Sequence, residues 1–238
     1  MAGQTEPATR SRVPLSRERV LRAAVEVADT RGIGALTMRG LAAELGVEAM
    51  SLYYHVANKD ELLDGVVEVV VDEINRTVDP IAVDAADPAG GGWKATVRRR
   101  ILAARQVLLA HPWAPGVIES RDTMTPAVLR YFDALGGLLR QGGLSVDLVH
   151  HAMHALGSRA LGFTQELFVT DPGGTAAELD AEVLIQQMAD AYPHITEIVM
   201  QASHDAGSTL GWCDDQAEFE FGLDLILDGL AHLHATTT

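Results

Sequence analysis

The chain has 238 residues, 47% of them hydrophobic and 21% charged, enough apolar content for a packed core and too much for wholesale disorder. No apolar run reaches the roughly 18 residues of a membrane helix, no apolar stretch marks a secretory leader, and a lone cysteine, Cys213, excludes an internal disulfide framework, so a cytoplasmic protein is expected. The formal net charge of −15 argues against nucleic acid only when averaged, because residues 1–60 carry eight basic and seven acidic groups while residues 61–238 carry ten and 26.

Residues 1–14 are polar, carry Arg10 and Arg12 and lack periodicity, which predicts a disordered, mildly basic arm. Ser16 is a good N-cap for a first helix whose stripe is Val20, Ala24, Val27 and Ala28. Gly32 and Gly34 end it. Thr37 caps a second helix with Leu41, Ala42 and Leu45 on its apolar face, stopped at Gly46. A short third helix spans about 49–55. Asn58, with Glu61 three residues on, starts a fourth that Leu62, Val66, Val69 and Val70 carry to about 77. Residues 79–92 hold two prolines and a run of three glycines and read as a linker. Helices follow at about 93–110, 112–119, 125–141, 145–169, 176–190, 193–204 and 214–234. No segment alternates with period two, so an all-α chain is expected. Its organisation reads as an arm (1–14), a three-helix head (15–78), a linker (79–92) and a larger helical bundle (93–238).

Residues 38–59 carry the most information. Two helices that touch need a small residue at the contact, here Ala42. A tight turn four residues later needs positive φ, here Gly46. Leu41, Leu45, Val47 and Leu52 face the shared core. A short helix then presents Glu48, Ala49, Met50, Ser51, Tyr53 and Tyr54 outward, beside His55 and Lys59. A docked recognition helix offers its N-terminal residues to base edges in this way.

The stretches LTMRGLAAELGV (36–47), LYYHVANK (52–59) and the DELL that follows resemble the DNA-binding domain of the tetracycline-repressor family. GGLSVDLVHHAMHALGSRALG (142–162) and FEFGLDLILDGL (219–230) resemble the core helices of the tetracycline repressor's own subgroup. The resemblance implies a homodimeric transcriptional regulator, a repressor, that binds a palindromic operator in duplex DNA and is released by a small molecule. By position it places Thr37 and Met38 near the DNA backbone and Arg39 on a base edge or phosphate. Glu48, Ala49, Met50 and Ser51 would face bases, and Tyr53, His55 and Lys59 would bind phosphates. The chemistry agrees. Arginine grips guanine, Met and Ala suit thymine methyls, and hydroxyls and ammonium suit phosphate. A glutamate accepts only from cytosine and repels phosphate, so Glu48 is expected to serve selectivity.

The resemblance also marks a ligand pocket of Asn75, Trp113, Phe132, Leu135, His150, Met153, His154, Phe163 and Glu166. Asn75 stands where the drug repressor places a histidine and Leu135 where it places a glutamine, while Glu166 matches an acidic residue near the drug's metal. The expected effector is therefore a largely hydrophobic aromatic or polyketide-like molecule rather than a magnesium–tetracycline complex. A coiled-coil-like seam of Phe219, Leu223, Ile226, Leu230 and Leu233, with Gly222 and Gly229 seven apart, is expected to form the dimer interface together with Leu156.

Other motifs are weaker. Asp147, His150 and His154 share a helix face, so a helical-bundle metal protein or enzyme is the alternative reading. A fourth ligand is not evident. No nucleophile elbow or phosphate loop occurs, no cofactor is expected, and the acidic neighbours of Cys213 would quench its thiolate. The expected class is a regulator, not an enzyme.

Overall fold

The computed structural model describes residues 14–83, 92–162, 191–194, 196–197 and 215–237. The arm up to residue 13, most of the linker, the helices expected at 176–190 and near 193–204, and Cys213 lie outside or largely outside these. Among the described residues every regular element is helical: α1 (Arg17–Arg31), a single 3-10 turn (Ile33–Ala35), α2 (Met38–Leu45), α3 (Ala49–Tyr53), α4 (Lys59–Val78), α5 (Gly92–Ala110), α6 (Ala114–Glu119), α7 (Pro126–Gln141), α8 (Val146–Gly162) and α9 (Asp215–Thr237). No helix among them is long and apolar enough to cross a membrane.

The helix boundaries follow local chemistry. Ser16 Oγ accepts from the Arg19 backbone N–H at 3.2 Å and starts α1. Thr37 Oγ1 accepts from the Gly40 N–H at 3.0 Å and starts α2. Asn58 Oδ1 accepts from the Glu61 N–H at 2.8 Å and starts α4. The reciprocal bond of that last cap differs from the usual box. Glu61 Oε2 accepts from the N–H of Ala57, one residue before the cap, at 2.7 Å. Gly46 turns the chain after α2 with φ +65°. Helix α3 ends at Tyr53, two residues earlier than expected, and passes into a turn in which the His55 and Val56 N–H groups both donate to the Leu52 carbonyl, at 2.8 and 2.9 Å.

The chain groups into two compact units. The first comprises residues 1–82 and 103–135, the second residues 83–102 and 136–238. By compactness, then, the end of α5, all of α6 and most of α7 go with the head. Val20, Ala24, Leu41, Leu52, Val56, Leu62, Val66 and Val70 form the core under the first three helices and α4. A Cβ at Gly65 would come within 2.4 Å of Leu21 Cδ2, so α1 and α4 pack at a contact that a larger residue would force apart. Buried polar bonds fasten the later helices of this unit to the head. Asn75 Nδ2 donates to the Ala127 carbonyl at 3.0 Å. The Trp113 indole donates to Asp29 Oδ1 at 2.7 Å, and His111 Nδ1 meets the same oxygen at 2.8 Å. Arg121 Nε donates to Asp64 at 2.7 Å; that bond, foremost, raises the affinity of its guanidinium for the proton.

In the second unit α9 packs on α8, burying Leu156, Phe219, Leu223, Leu227 and Leu230. Arg98 of α5 donates to Asp224 and Glu220 of α9, each at 2.7 Å, and Lys94 pairs with Asp228. Arg98 and Lys94 are thus the rungs of an ionic ladder between α5 and α9.

Candidate nucleic-acid interface

The reading surface is built on two short helices. α2 is fixed by the Thr37 cap at one end and by the left-handed Gly46 at the other, whose N–H reaches the carbonyls of Ala42 and Ala43. Ala42 is buried at the contact and Leu52 of α3 is fully enclosed. These anchors hold α3 by one face and leave the other free. Gly40 belongs to the same device. A Cβ there would lie 2.9 Å from Thr37 Oγ1, against the oxygen that caps the helix. The sequence marked Thr37 and Gly46 but carried no signal for Gly40 or Gly65, whose roles depend on neighbours brought in by folding.

Of the residues expected to meet DNA, Thr37, Arg39, Glu48, Met50, Tyr53 and Lys59 are exposed, and Met38, Ala49, Ser51 and His55 are half-buried. Tyr54 is the most open aromatic, 87% exposed, and Met50 is 69% exposed. Among the described residues, the side chains of Arg39, Glu48, Ser51, Tyr53, His55 and Lys59 hold no hydrogen bond or ion pair. Glu48 occupies the N-cap position of α3 without capping it. Its carboxylate stands at the positive end of the helix dipole and holds no hydrogen bond or ion pair among the described residues. This is a row of donors, one acceptor and apolar groups, positioned by buried leucines and not engaged by the fold.

The expected pocket residues are distributed differently. Asn75, Trp113, Phe132 and Leu135 belong to the first unit; His150, Met153 and His154 belong to the second. Phe163 and Glu166 lie outside the described residues. Asn75 is 1% exposed and spends its amide on Ala127, and Trp113 spends its indole N–H on Asp29. Leu135 is buried, Phe132 and Met153 are half-buried, and His150 and His154 are exposed with ring centroids 4.7 Å apart.

The alternative metal reading finds no support. Asp147, His150 and His154 are exposed, and no set of three or more His, Cys, Asp or Glu among the described residues could hold a metal ion.

The expected seam on α9 divides between two faces. Leu156, Phe219, Leu223 and Leu230 are covered within their own chain, Ile226 and Gly222 are half-buried, and Gly229 is exposed with open space above it. Gly222 lies against the Arg159 side chain of α8, within its own chain. The opposite face shows Phe221, Leu225 and Leu233, all more than half exposed. α9 carries apolar residues on two of its faces, so periodicity alone could not say which stripe the chain itself would cover.

A helix-turn-helix that holds its second helix by one face and offers polar and apolar groups on the other defines a sequence-reading DNA-binding protein. The chain belongs to the TetR family of transcriptional regulators. The family description "Bacterial regulatory proteins, tetR family" matches residues 20–66, and "Tetracyclin repressor-like, C-terminal domain" matches residues 85–234. The chain is 30% identical to the HTH-type transcriptional repressor DrrR1 of Streptomyces coeruleorubidus, over 93% of this chain and 79% of that protein. It is 28% identical to the class C tetracycline repressor of Escherichia coli, over 94% of each. It resembles the TetR family protein ActR of Streptomyces coelicolor in complex with actinorhodin, with a TM-score of 0.70 and 27% identity over 93% of this chain and 99% of that one. These relatives are regulators, not enzymes.

Proposed function

We propose that the protein is a dimeric repressor whose two heads bind the half-sites of a palindromic operator and whose affinity for DNA is lowered by a small, mainly hydrophobic aromatic effector. The observation that carries this reading is the uncommitted row on α2 and α3. The side chains of Arg39, Glu48, Ser51, Tyr53, His55 and Lys59 make no hydrogen bond or ion pair within the described residues while their helices are pinned from behind. In this reading Arg39 and the start of α3 meet base edges, and Thr37, Tyr53, His55 and Lys59 meet phosphates. Residues 15–78 act as the head, and residues 93–238 as the dimerisation and effector domain.

Two-fold pairing uses the open row of α9, Phe221, Leu225, Gly229 and Leu233, spaced four residues apart. Among the described residues the side chains of Phe221, Leu225 and Leu233 are each more than half exposed, and Gly229 gives a partner helix room to approach. Two heads then reach successive major grooves about 34 Å apart. The likeness to a relative crystallised in complex with actinorhodin supports a small-molecule effector. Such a ligand needs a differential affinity of only a few kcal/mol between the DNA-competent state and the other to release the operator.

The test begins with selection of bound fragments from the source genome, followed by titration of the recovered duplex and thermal-shift screening of aromatic metabolites with and without magnesium. Saturable, sequence-selective binding that an apolar aromatic reverses is expected. Absence of selective duplex binding would overturn the reading. Release by a magnesium–tetracycline complex alone would overturn its effector class.

A further inference from the structure

Met50 stands apart from the other methionines of the described residues. Met38 and Met153 are half-buried, whereas Met50 is 69% and Met124 is 62% exposed. Met50 is the second residue of α3 and sits between Ala49 and Ser51, in the row read as facing bases. Met124 lies on the connection between α6 and α7, outside that row. Among the described residues the chain thus offers two open thioethers, one where the duplex would lie and one elsewhere.

A thioether is an apolar group that a peroxide turns polar. The sulfur lone pair attacks one oxygen of hydrogen peroxide, the O–O bond breaks, and the other oxygen leaves as water with the proton shed by the first. Sulfur gives up two electrons, the peroxide is reduced, and the product is a sulfoxide. Before that step the end of the Met50 side chain suits a thymine methyl. After it the side chain carries a strong acceptor, while the thymine edge offers a methyl group and a second acceptor, O4. Glu48, two residues before, is a further acceptor that holds no hydrogen bond or ion pair among the described residues. An acceptor pressed into the groove without a donor is costly, so oxidation of this one atom opposes docking.

We propose that Met50 is a reversible oxidation site that switches DNA reading: a peroxide converts it to the sulfoxide, and oxidised heads do not rebind the operator until a sulfoxide reductase restores the thioether. The inference rests on the base-facing role of α3 proposed above. The reductase returns two electrons from a dithiol, which becomes a disulfide, and the oxygen leaves as water. Bound duplex covers Met50, so the oxidant acts on free dimers and holds them in the free pool. Each dimer carries the site twice, and the losses at its two heads multiply.

The experiment treats the full-length protein with hydrogen peroxide in a Cys213→Ser background, where the lone thiol cannot react, and follows each methionine by peptide mass spectrometry. Affinity for the selected genomic duplex is measured before and after, and each protein is compared only with itself. Complete oxidation of Met50 should weaken binding by about tenfold per head, and so by about a hundredfold for the dimer, with no fall in melting temperature. Met124→Leu should show the same loss, and Met50→Leu should keep its own starting affinity. A methionine sulfoxide reductase with dithiothreitol should restore the treated parent. Saturating duplex should slow oxidation of Met50 and leave that of Met124 unchanged. Unchanged affinity at complete Met50 oxidation would overturn the proposal, and so would an equal loss in Met50→Leu. If Met50→Leu binds no duplex, a half-oxidised parent is partitioned on the duplex instead. A bound fraction depleted in Met50 sulfoxide, but not in Met124 sulfoxide, supports the switch, and equal proportions overturn it. Failure of the underlying reading is distinguishable, because then the untreated protein would show no selective binding and duplex would not shield Met50.

Discussion

Helices α3 and α9 both present large apolar side chains to the outside, and they do so for opposite reasons. On α3 the exposed Met50, Tyr53 and Tyr54 alternate with Glu48 and Ser51 and lie beside Arg39, His55 and Lys59. That mixture of hydroxyls, cations and methyl groups suits a partner with both charged and apolar edges, which is what a DNA groove offers. On α9 the exposed Phe221, Leu225 and Leu233 stand in a row with a glycine among them. A surface of that kind suits a second apolar helix. Exposure of an apolar residue is thus uninformative until its neighbours are named.

The sharpest test of the contrast lies within α9 itself. Leu223 is fully enclosed by its own chain, whereas Leu225, two residues on, is 58% exposed. Leu223→Ala should lower folding stability by about 2–5 kcal/mol, as large-to-small changes in packed cores do. Leu225→Ala should leave a monomer's stability nearly unchanged, within about 0.5 kcal/mol, but weaken self-association by roughly 1.5–3 kcal/mol for each copy. Denaturant titration and light scattering over a concentration series separate the two. If Leu225→Ala leaves the association unchanged, the open row is not the dimer face.

The next effect belongs to α3. Arg39→Ala and Tyr53→Ala should each weaken specific duplex binding by about 1–3 kcal/mol, with no change in melting temperature, because neither side chain bonds within the described residues. A fall in melting temperature that matches the loss of binding would mean these residues hold the head together instead of reading DNA.

The head was more legible than the rest, and the reason is physical. Its signals are local. Ser16, Thr37 and Asn58 cap helices whose first N–H groups are three residues away, and all three bonds form. Gly46 supplies a positive φ that its own turn requires. Asn75 shows the opposite case. Position suggested a ligand contact, but its amide is met by Ala127, 52 residues on, and no spacing in the chain announces that bond. The ionic ladder of Arg98 escaped for the same reason, since Asp224 lies more than a hundred residues away. The face of α9 could not be assigned because both of its sides are apolar, so only packing decides between them.

Smaller again is the contribution of the cap at the start of α2. Thr37→Ala removes the acceptor for the Gly40 N–H, and such losses cost about 0.5–2 kcal/mol. Thr37→Ser keeps the oxygen and should recover most of it. DNA affinity should follow stability only weakly if Thr37 is a cap alone. A larger loss of affinity than of stability, restored by serine, would give Thr37 a phosphate contact as well. Gly40→Ala tests the same spot from the other side, because its Cβ would press on the capping oxygen.

The smallest expected effect distinguishes the second unit from the head by pH. Glu220 is held below the usual carboxylate range, first by the Gln216 amide and then by Arg98. Asp224 is held below its range chiefly by its hydrogen bond to Arg98. Because both carboxyls bind protons less readily in the folded chain than in the unfolded one, they contribute stability above the ordinary carboxylate values, near pH 4. That contribution is lost as the pH falls through their lower folded values. Both side chains are partly exposed, so solvent screens the pairing and its size is modest. Arg98→Gln should therefore lower the melting temperature slightly at neutral pH. The gap from wild type should close as the pH falls below about 4, where protonated carboxyls no longer distinguish the two proteins. Arg39→Ala, whose side chain pairs with no carboxylate among the described residues, should track wild type across the same range. A gap for Arg98→Gln that stays constant down to pH values where the protein unfolds would mean that Arg98 acts through packing along α9, and that the ladder contributes nothing electrostatic.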